Sequence, residues 1–201
     1  MGLAGWVASL APTFALATRP RVVTILGDSV TAGLGLPANQ ALPAQLQRAL
    51  AKLGVSAAVR GAGVSGDTAA DGLARLDFSV GDDTDVCVVA LGGNDLLQGG
   101  SPAATEASLT AIVRRLRARR IGVVLAGVTA PAAVGAGYAR EFAAIFPAIA
   151  RAERVSVLPD LLAGVGPALR QSDGLHPNAR GVALIASRLA PLAAQALRAR
   201  R

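Results

Sequence analysis

Short apolar runs alternate with longer segments of helical periodicity along the chain from residue 21 onward. Runs of this length predict buried strands, and the segments between them predict helices. The predicted strands cover residues 21–26, 55–59, 86–91, 121–126 and 155–158. Because strands that alternate with helices form parallel sheets covered on both faces, the pattern predicts a three-layer α/β/α fold with a doubly wound sheet of about five parallel strands.

The predicted helices carry apolar residues at helical spacing on one face. They cover approximately residues 42–53, 68–76, 101–120, 138–151 and 178–197. Ser101 and Pro102 begin the third of them, where an N-cap hydroxyl followed by proline is favourable. Between the second strand and the next helix, the sequence predicts a glycine-rich turn that contains Gly61, Gly63 and Gly66.

The overall composition is strongly apolar, with 52% hydrophobic residues among 201 and a mean hydropathy of +0.48. No apolar run reaches the roughly 18 residues that a membrane-spanning helix needs, so we expect no stable membrane span. The alternating pattern continues without a linker, and we therefore expect one domain over residues 18–201.

Residues 3–17 are apolar and end in Phe-Ala-Leu-Ala, with small residues at the positions that signal peptidase prefers. This segment resembles a secretory signal peptide cleaved near Ala17, although no lysine or arginine precedes the apolar run. An N-terminal hydrophobic segment that stays on the protein is the alternative. We expect a periplasmic or secreted protein if the segment is a signal peptide, and a cytoplasmic one if it is not.

The formal net charge of +7 comes almost entirely from arginine. A nucleic-acid partner is not expected, because no nucleic-acid-binding motif is present and only 3% of the residues are aromatic. Five arginines lie near the end of the third predicted helix: Arg114, Arg115, Arg117, Arg119 and Arg120. They form either an anion-binding patch or a solvated face whose charges suit the helix dipole, and we favour the solvated face.

The cysteine and histidine contents limit the chemistry. Cys87 lies in a buried-strand pattern, so we expect an inert core thiol and no intramolecular disulfide. With His176 as the single histidine, a metal site of the His/Cys type is not expected. The acidic segment 81–85 lacks the spacing of a calcium loop and is interpreted as a solvated turn. We expect neither a metal nor another cofactor.

Four polar or glycine-rich segments follow predicted strands or precede the last helix: residues 27–29, 65–67, 92–95 and 173–177. In doubly wound sheets, ligands bind outside the carboxyl ends of the strands, so these segments are predicted to lie together. Ser29 alone allows two interpretations, a helix cap or an acyl-transfer nucleophile. The other three segments favour the nucleophile.

Each candidate residue has a role in acyl transfer. Ser29 Oγ would attack a carbonyl carbon, with His176 as general base and Asp173 as the acceptor that orients the imidazole. The backbone N–H groups of Ser29 and Gly66 and the side-chain amide of Asn94 are candidate oxyanion donors. Asp28 is interpreted as a residue that holds the loop rather than as a participant in the reaction.

Taken in order, these positions resemble the GDSL/SGNH hydrolase family over nearly the whole chain. Residues 27–30 read Gly-Asp-Ser-Val, Gly66 and Asn94 match the second and third blocks, and Asp173 with His176 matches the Asp-x-x-His of the last. The resemblance implies the flavodoxin-like sheet of that family, a nucleophile at Ser29, oxyanion donors at Gly66 and Asn94, and acid–base residues at Asp173 and His176.

The sequence around these positions, at residues 64–68, 72–76 and 91–95, resembles that of the bacterial arylesterase, acyl-CoA thioesterase and lysophospholipase subgroup. Its members are typically periplasmic. The resemblance implies a serine esterase or thioesterase that takes small acyl esters, thioesters or lysophospholipids of short to medium chain length through an acyl-enzyme, without a cofactor.

The sequence departs from the subgroup at two positions where its members often have asparagine. Gly61 is expected to loosen the loop that presents Gly66, and Ala133 is expected to alter substrate preference. Two alternative functions remain open: an O-deacetylase of carbohydrate or cell-envelope substrates on the same scaffold, and a non-catalytic flavodoxin-like binding domain. The presence of every site residue argues against the second.

Overall fold

The five apolar runs form one parallel sheet in the order β2-β1-β3-β4-β5 in the computed structural model, which describes residues 19–130 and 134–199. The strands are β1 (Arg21–Gly27), β2 (Ala57–Gly63), β3 (Val86–Ala90), β4 (Gly122–Ala126) and β5 (Ser156–Leu158). This is the strand order of flavodoxin-like doubly wound sheets, as predicted. The proposed signal peptide and Ala133 lie outside the described residues.

Eight α-helices are described. They are α1 (Ser29–Ala32), α2 (Leu42–Lys52), α3 (Ala69–Ala74), α4 (Leu76–Ser79), α5 (Gly93–Leu97), α6 (Pro102–Ala118), α7 (Ala136–Glu153) and α8 (Ala179–Arg198). The long helices lie where their apolar periodicity predicted them, whereas the short helices α1, α4 and α5 were not predicted. Among the described helices, none is both long enough and apolar enough to cross a membrane.

Two apolar cores lie on opposite faces of the sheet. On one face, strand residues such as Ile25 pack with buried leucines of α2 and the inner face of α8. On the other face, Leu26 and Val89 pack with the stripes of α6 and α7. Cys87 belongs to this second core and is fully buried, as predicted, and burial raises the pKa of its thiol to about 12. The alternation of strand residues between two buried faces produces the three layers.

The glycine-rich segment after Val59 is strand, not turn, and the prediction for Gly61 and Gly63 was wrong. Gly63 pairs with Gly27 across the sheet, and a Cβ at Gly63 would collide with the backbone nitrogen of Ala32. Glycine is therefore needed to let α1 pack against the strand. Gly61 also lies within β2, where it pairs with Ile25, rather than in the loop that presents Gly66.

Arginines at the end of α6 pair with carboxylates of neighbouring elements. Arg114 and Arg117 both donate to Glu153, at 2.7 and 3.0 Å, which agrees with the solvated-face interpretation of this helix.

The acidic turn at residues 81–85 differs from the prediction in one respect. Asp85 is buried and accepts from the backbone N–H of Val22 at 2.8 Å, so it anchors the start of β1. The described residues contain no group of His, Cys, Asp or Glu side chains arranged to hold a metal ion.

Candidate active site

The switch in strand order lies between β1 and β3, and Ser29 follows the first of these strands directly. Ser29 is the first residue of α1. The Oδ1 atom of the buried Asp28 accepts the backbone N–H of Val30 at 3.0 Å and caps this helix, and burial raises the pKa of Asp28. Asp28 therefore holds the loop, as predicted, and leaves the Ser29 side chain free to meet other groups.

Ser29, His176 and Asp173 are joined by hydrogen bonds in that order. Ser29 Oγ lies 2.9 Å from His176 Nε2, and His176 Nδ1 lies 2.6 Å from Asp173 Oδ2. The other carboxylate oxygen of Asp173 accepts the backbone N–H groups of Leu175 and His176, at 2.9 and 3.0 Å. These hydrogen bonds, above all the one with the imidazole, lower the pKa of Asp173 to about 2. The carboxylate is therefore charged when the imidazole needs an acceptor.

The His176 loop is fixed by contacts that the sequence did not indicate. The backbone N–H of Gln171 donates to the His176 carbonyl at 2.8 Å. The Gln171 side chain donates to the carbonyls of Leu34 at 2.8 Å and Pro177 at 3.0 Å, which ties the histidine loop to the segment after α1. Asn178 caps α8 by accepting two backbone N–H groups. Every residue carries a backbone carbonyl, so a single sequence gives no sign that this glutamine contacts two of them.

Gly66 and Asn94 lie beside the serine, one in a turn and one on a short helix. Gly66 has a φ of +91° and no atom within 4 Å of the position a Cβ would take, so its backbone conformation, not crowding, favours glycine here. The side-chain nitrogen of Asn94, on α5, donates one hydrogen to the Asp67 carbonyl at 2.8 Å. An amide nitrogen carries two hydrogens, so a second donor remains for a ligand.

Two acidic side chains hold the segment that follows Gly66, and the sequence analysis gave neither of them a role. The buried Asp95 accepts the backbone N–H of Ala69 at 2.8 Å and the Thr105 hydroxyl at 3.0 Å. Asp67 pairs with Arg75. Both carboxylates lie next to predicted oxyanion residues in the chain, which is the signal that could have found them.

Ser29, Gly66, Asn94 and His176 line one cavity of about 220 Å³. The rest of its wall is mostly apolar and includes Leu34, Leu97, Val128, Leu161, Leu162 and Leu175. Leu97 is 62% exposed and Leu34 is 47% exposed, so the apolar wall continues to the mouth. A larger groove of about 600 Å³ lies between α2 and β2, and it contains none of the predicted site residues.

Comparison with known proteins gives a consistent result. The model of the GDSL-like lipase/acylhydrolase family matches residues 25–184. The chain is similar to esterase TesA of Pseudomonas aeruginosa, with 38% identity over 160 residues, covering 78% of this chain and 80% of the relative. It is equally similar, at 38% over 157 residues, to thioesterase 1/protease 1/lysophospholipase L1 of Escherichia coli, covering 77% and 74%. A crystal structure of TesA superposes with a TM-score of 0.82 at 34% identity, covering 88% of this chain and all of that one.

Proposed function

The chain belongs to the GDSL-like lipase/acylhydrolase family, and we propose that it hydrolyses short-to-medium acyl esters or thioesters through an acyl-enzyme on Ser29. The single observation that carries this proposal is the unbroken chain of hydrogen bonds from Ser29 through His176 to Asp173. A nucleophile, a base and an orienting carboxylate at these distances are what acyl transfer requires.

In the first half of the proposed reaction, Ser29 Oγ attacks the carbonyl carbon of the substrate. His176 Nε2 takes the hydroxyl proton as the C–O bond forms, and the carbonyl oxygen becomes an oxyanion. His176 then returns that proton to the leaving alcohol or thiol as the tetrahedral intermediate collapses to the acyl-enzyme. Asp173 stabilises the transient imidazolium and keeps Nδ1 protonated, so that Nε2 is the basic nitrogen.

In the second half, water takes the place of the alcohol. His176 removes a proton from the water, whose oxygen attacks the acyl carbon. The second tetrahedral intermediate collapses with the bond to Ser29 Oγ breaking and the proton returning to it. The carboxylic acid leaves, and the serine is regenerated.

The oxyanion of both intermediates would accept from the Ser29 and Gly66 backbone N–H groups and from Asn94. The Ser29 N–H lies at the start of α1, where helix N–H groups lack intrahelical partners. Gly66 and Asn94 line the same cavity as the serine. Donors that are already held in place need little reorganisation when charge develops, which is the source of their catalytic effect.

The cavity supports an acyl substrate of limited length. Its leucine and valine wall would shield an aliphatic chain from water, and its volume of about 220 Å³ is small for a ligand site. The names of the two relatives include esterase, thioesterase and lysophospholipase, so both oxygen and sulfur leaving groups are included in the proposal.

The test is hydrolysis of chromogenic acyl esters from acetyl to dodecanoyl by the wild type and by Ser29→Ala. We expect the variant to lose on the order of 10⁵-fold or more in kcat. Ser56→Ala is the matched control, because Ser56 is exposed just before β2 and does not line this cavity, and it is expected to retain activity. An unchanged rate in Ser29→Ala would end the proposal. Activity confined to acetyl esters would favour the O-deacetylase alternative.

We also propose that residues 1–17 direct export and are removed. The support is the apolar run that ends in small residues. Mass spectrometry of the protein expressed from its full sequence in a bacterial host tests this proposal. A mature N-terminus at residue 18 is expected, and an intact Met1 in a fractionated periplasmic sample would contradict it.

A further inference from the structure

Acidic side chains line the candidate active-site cavity of a chain whose formal net charge is +7. Two carboxylates, Asp28 and Asp160, line it together with His176. Among the described residues, no arginine or lysine lines it, although the chain has 20 of them. The acidic lining of the cavity therefore contrasts with the basic character of the whole chain.

The two carboxylates differ in burial. Asp28 is buried and its Oδ1 caps α1, and burial raises its pKa, which disfavours its charged form. Asp160 is only half-buried. Its Oδ1 accepts the backbone N–H of Leu162 at 3.0 Å, and within the described residues its Oδ2 has no hydrogen-bond or ion-pair partner.

The backbone that carries Asp160 is held firmly at the carboxyl edge of the sheet. The N–H of Gly127 donates to the Leu158 carbonyl, and the N–H of Leu161 donates back to the Gly127 carbonyl, both at 2.8 Å. Arg188 of α8 donates to the Ala163 carbonyl at 2.8 Å, on the far side of the same loop. Asp160 is thus presented to the cavity from a fixed backbone, between the ends of β4 and β5.

A carboxylate in a mostly apolar wall loses part of its hydration and gains most from a ligand that carries a positive charge. We propose that Asp160 is a specificity-determining residue that favours esters with a cationic group, such as a quaternary ammonium, over neutral esters of the same shape. This inference rests on the proposed function. It goes beyond it by naming a charge class of substrate and the residue that selects it.

The test compares two esters that differ only in charge: butyrylcholine and 3,3-dimethylbutyl butyrate, in which carbon replaces the ammonium nitrogen. For the wild type we expect kcat/KM to be about 10-fold higher for the choline ester, mainly through KM, which corresponds to one favourable charge contact of about 1.4 kcal/mol. The preference should fall as salt is added, because ions screen a partly exposed charge.

Asp160→Asn removes the charge and retains an oxygen that can accept the Leu162 N–H. The ratio of kcat/KM values for the two esters is expected to fall to about one. Asp82→Asn is the matched control, since it removes one charge from a side chain that is 96% exposed on the turn before β3, and it should leave the ratio unchanged. In the wild type, tetramethylammonium should inhibit hydrolysis of the neutral ester competitively, which provides a readout that needs no variant.

The outcomes separate this inference from the proposed function. Hydrolysis of both esters without preference, or a preference that survives in Asp160→Asn, overturns the role of Asp160 and leaves the hydrolase proposal intact. Failure to hydrolyse either ester, together with Ser29→Ala behaving as the wild type on chromogenic esters, overturns the hydrolase proposal itself.

Discussion

Arg75 Nε donates to Asp67 Oδ2 at 2.5 Å, and Arg75 Nη2 donates to the carbonyl of Gly27 at 2.9 Å. One guanidinium therefore joins the turn of Gly66 to the end of β1, two residues before Ser29. The side chains of Arg75 and Asp67 are only 20% and 12% exposed, so the pair is weakly screened by solvent. This contact sets the spacing between the candidate nucleophile and a candidate oxyanion donor.

Arg75→Ala should lower kcat by about 10- to 100-fold with a smaller effect on KM. Without Arg75 the Gly66 N–H is displaced, and its hydrogen bond to the oxyanion is formed mainly in the transition state, so its loss affects kcat more than substrate binding. Arg75→Lys should recover only part of the loss, since an ammonium lacks the fork that reaches two acceptors in fixed directions. Steady-state kinetics with a chromogenic ester measures both.

Arg60→Lys is the control for Arg75, because Arg60 forms a similar two-bond pair with Asp83 in an exposed position away from the cavity. Its activity should match the wild type. Breaking a largely buried pair also destabilises a protein, by about 3 kcal/mol in typical cases, so urea unfolding is measured in parallel. Reduced stability with an unchanged kcat in Arg75→Ala would mean that the pair supports the fold alone.

Asn94→Ala should reduce kcat by roughly 10²- to 10³-fold if the side-chain amide stabilises the oxyanion. The same change removes the hydrogen bond to the Asp67 carbonyl, so part of the loss would come from the Gly66 turn. Gln98→Ala removes an exposed amide from the end of the same short helix and should leave kcat within about twofold, as surface changes usually do. Equal activity of Asn94→Ala and Gln98→Ala would remove Asn94 from the proposed mechanism.

The fold was predictable because buried strands leave a strong pattern. Val86–Ala90 is buried at every position, and the apolar run in the sequence follows it closely. β2 is different, because it is an edge strand whose last residues are small and partly exposed. The glycines of β2 were predicted to form a turn. Glycine is needed at Gly63 because α1 packs closely against the strand, and such a tertiary contact leaves no pattern in the local sequence.

The candidate site was predictable to the same extent, and for a related reason. Ser29 and Asn94 lie within four residues of the ends of β1 and β3, so the strand pattern placed them at one edge of the sheet. Arg75 and Gln171 act through backbone carbonyls 48 and 137 residues away, and a carbonyl acceptor has no residue type to recognise. The sequence did not single out Asp160, which lines the cavity, because this residue follows the shortest of the described strands and belongs to no motif.

Asp173 should make stability depend on pH in the acid range. Its pKa is lowered from the usual 3.8 to about 2 by the hydrogen bonds with His176 and two backbone N–H groups. The folded state therefore binds a proton less readily than the unfolded chain, and the contribution of Asp173 is present above its unfolded pKa of 3.8, levels off near pH 5 and is lost as the pH falls toward 2. Denaturant unfolding of the wild type and Asp173→Asn from pH 6 to 2 measures the difference.

The gap in unfolding free energy between these two proteins should be constant above about pH 5 and should close as the pH falls toward 2. Asp77→Asn is the control, because this side chain is 65% exposed and its contacts to arginine are 3.7 Å long. Its gap from the wild type should be small throughout. A gap for Asp173→Asn that does not change between pH 5 and 2 would show that the carboxylate is not stabilised by the imidazole loop.

Cys87 should be unreactive in the native protein and reactive once the sheet opens. The thiol is fully buried in β3, the central strand of the sheet, and burial raises its pKa to about 12, so both access and the thiolate fraction are minimal. A chromogenic disulfide reagent at pH 8 should give no fast reaction without denaturant and one thiol per chain in 6 M urea. In intermediate urea, the labelling rate should follow the free energy of opening of β3.

Cys87→Ala with Ser187→Cys is the positive control, because residue 187 is exposed on α8 and its thiol should react at once. Fast labelling of native Cys87 would contradict the position of β3 in the sheet.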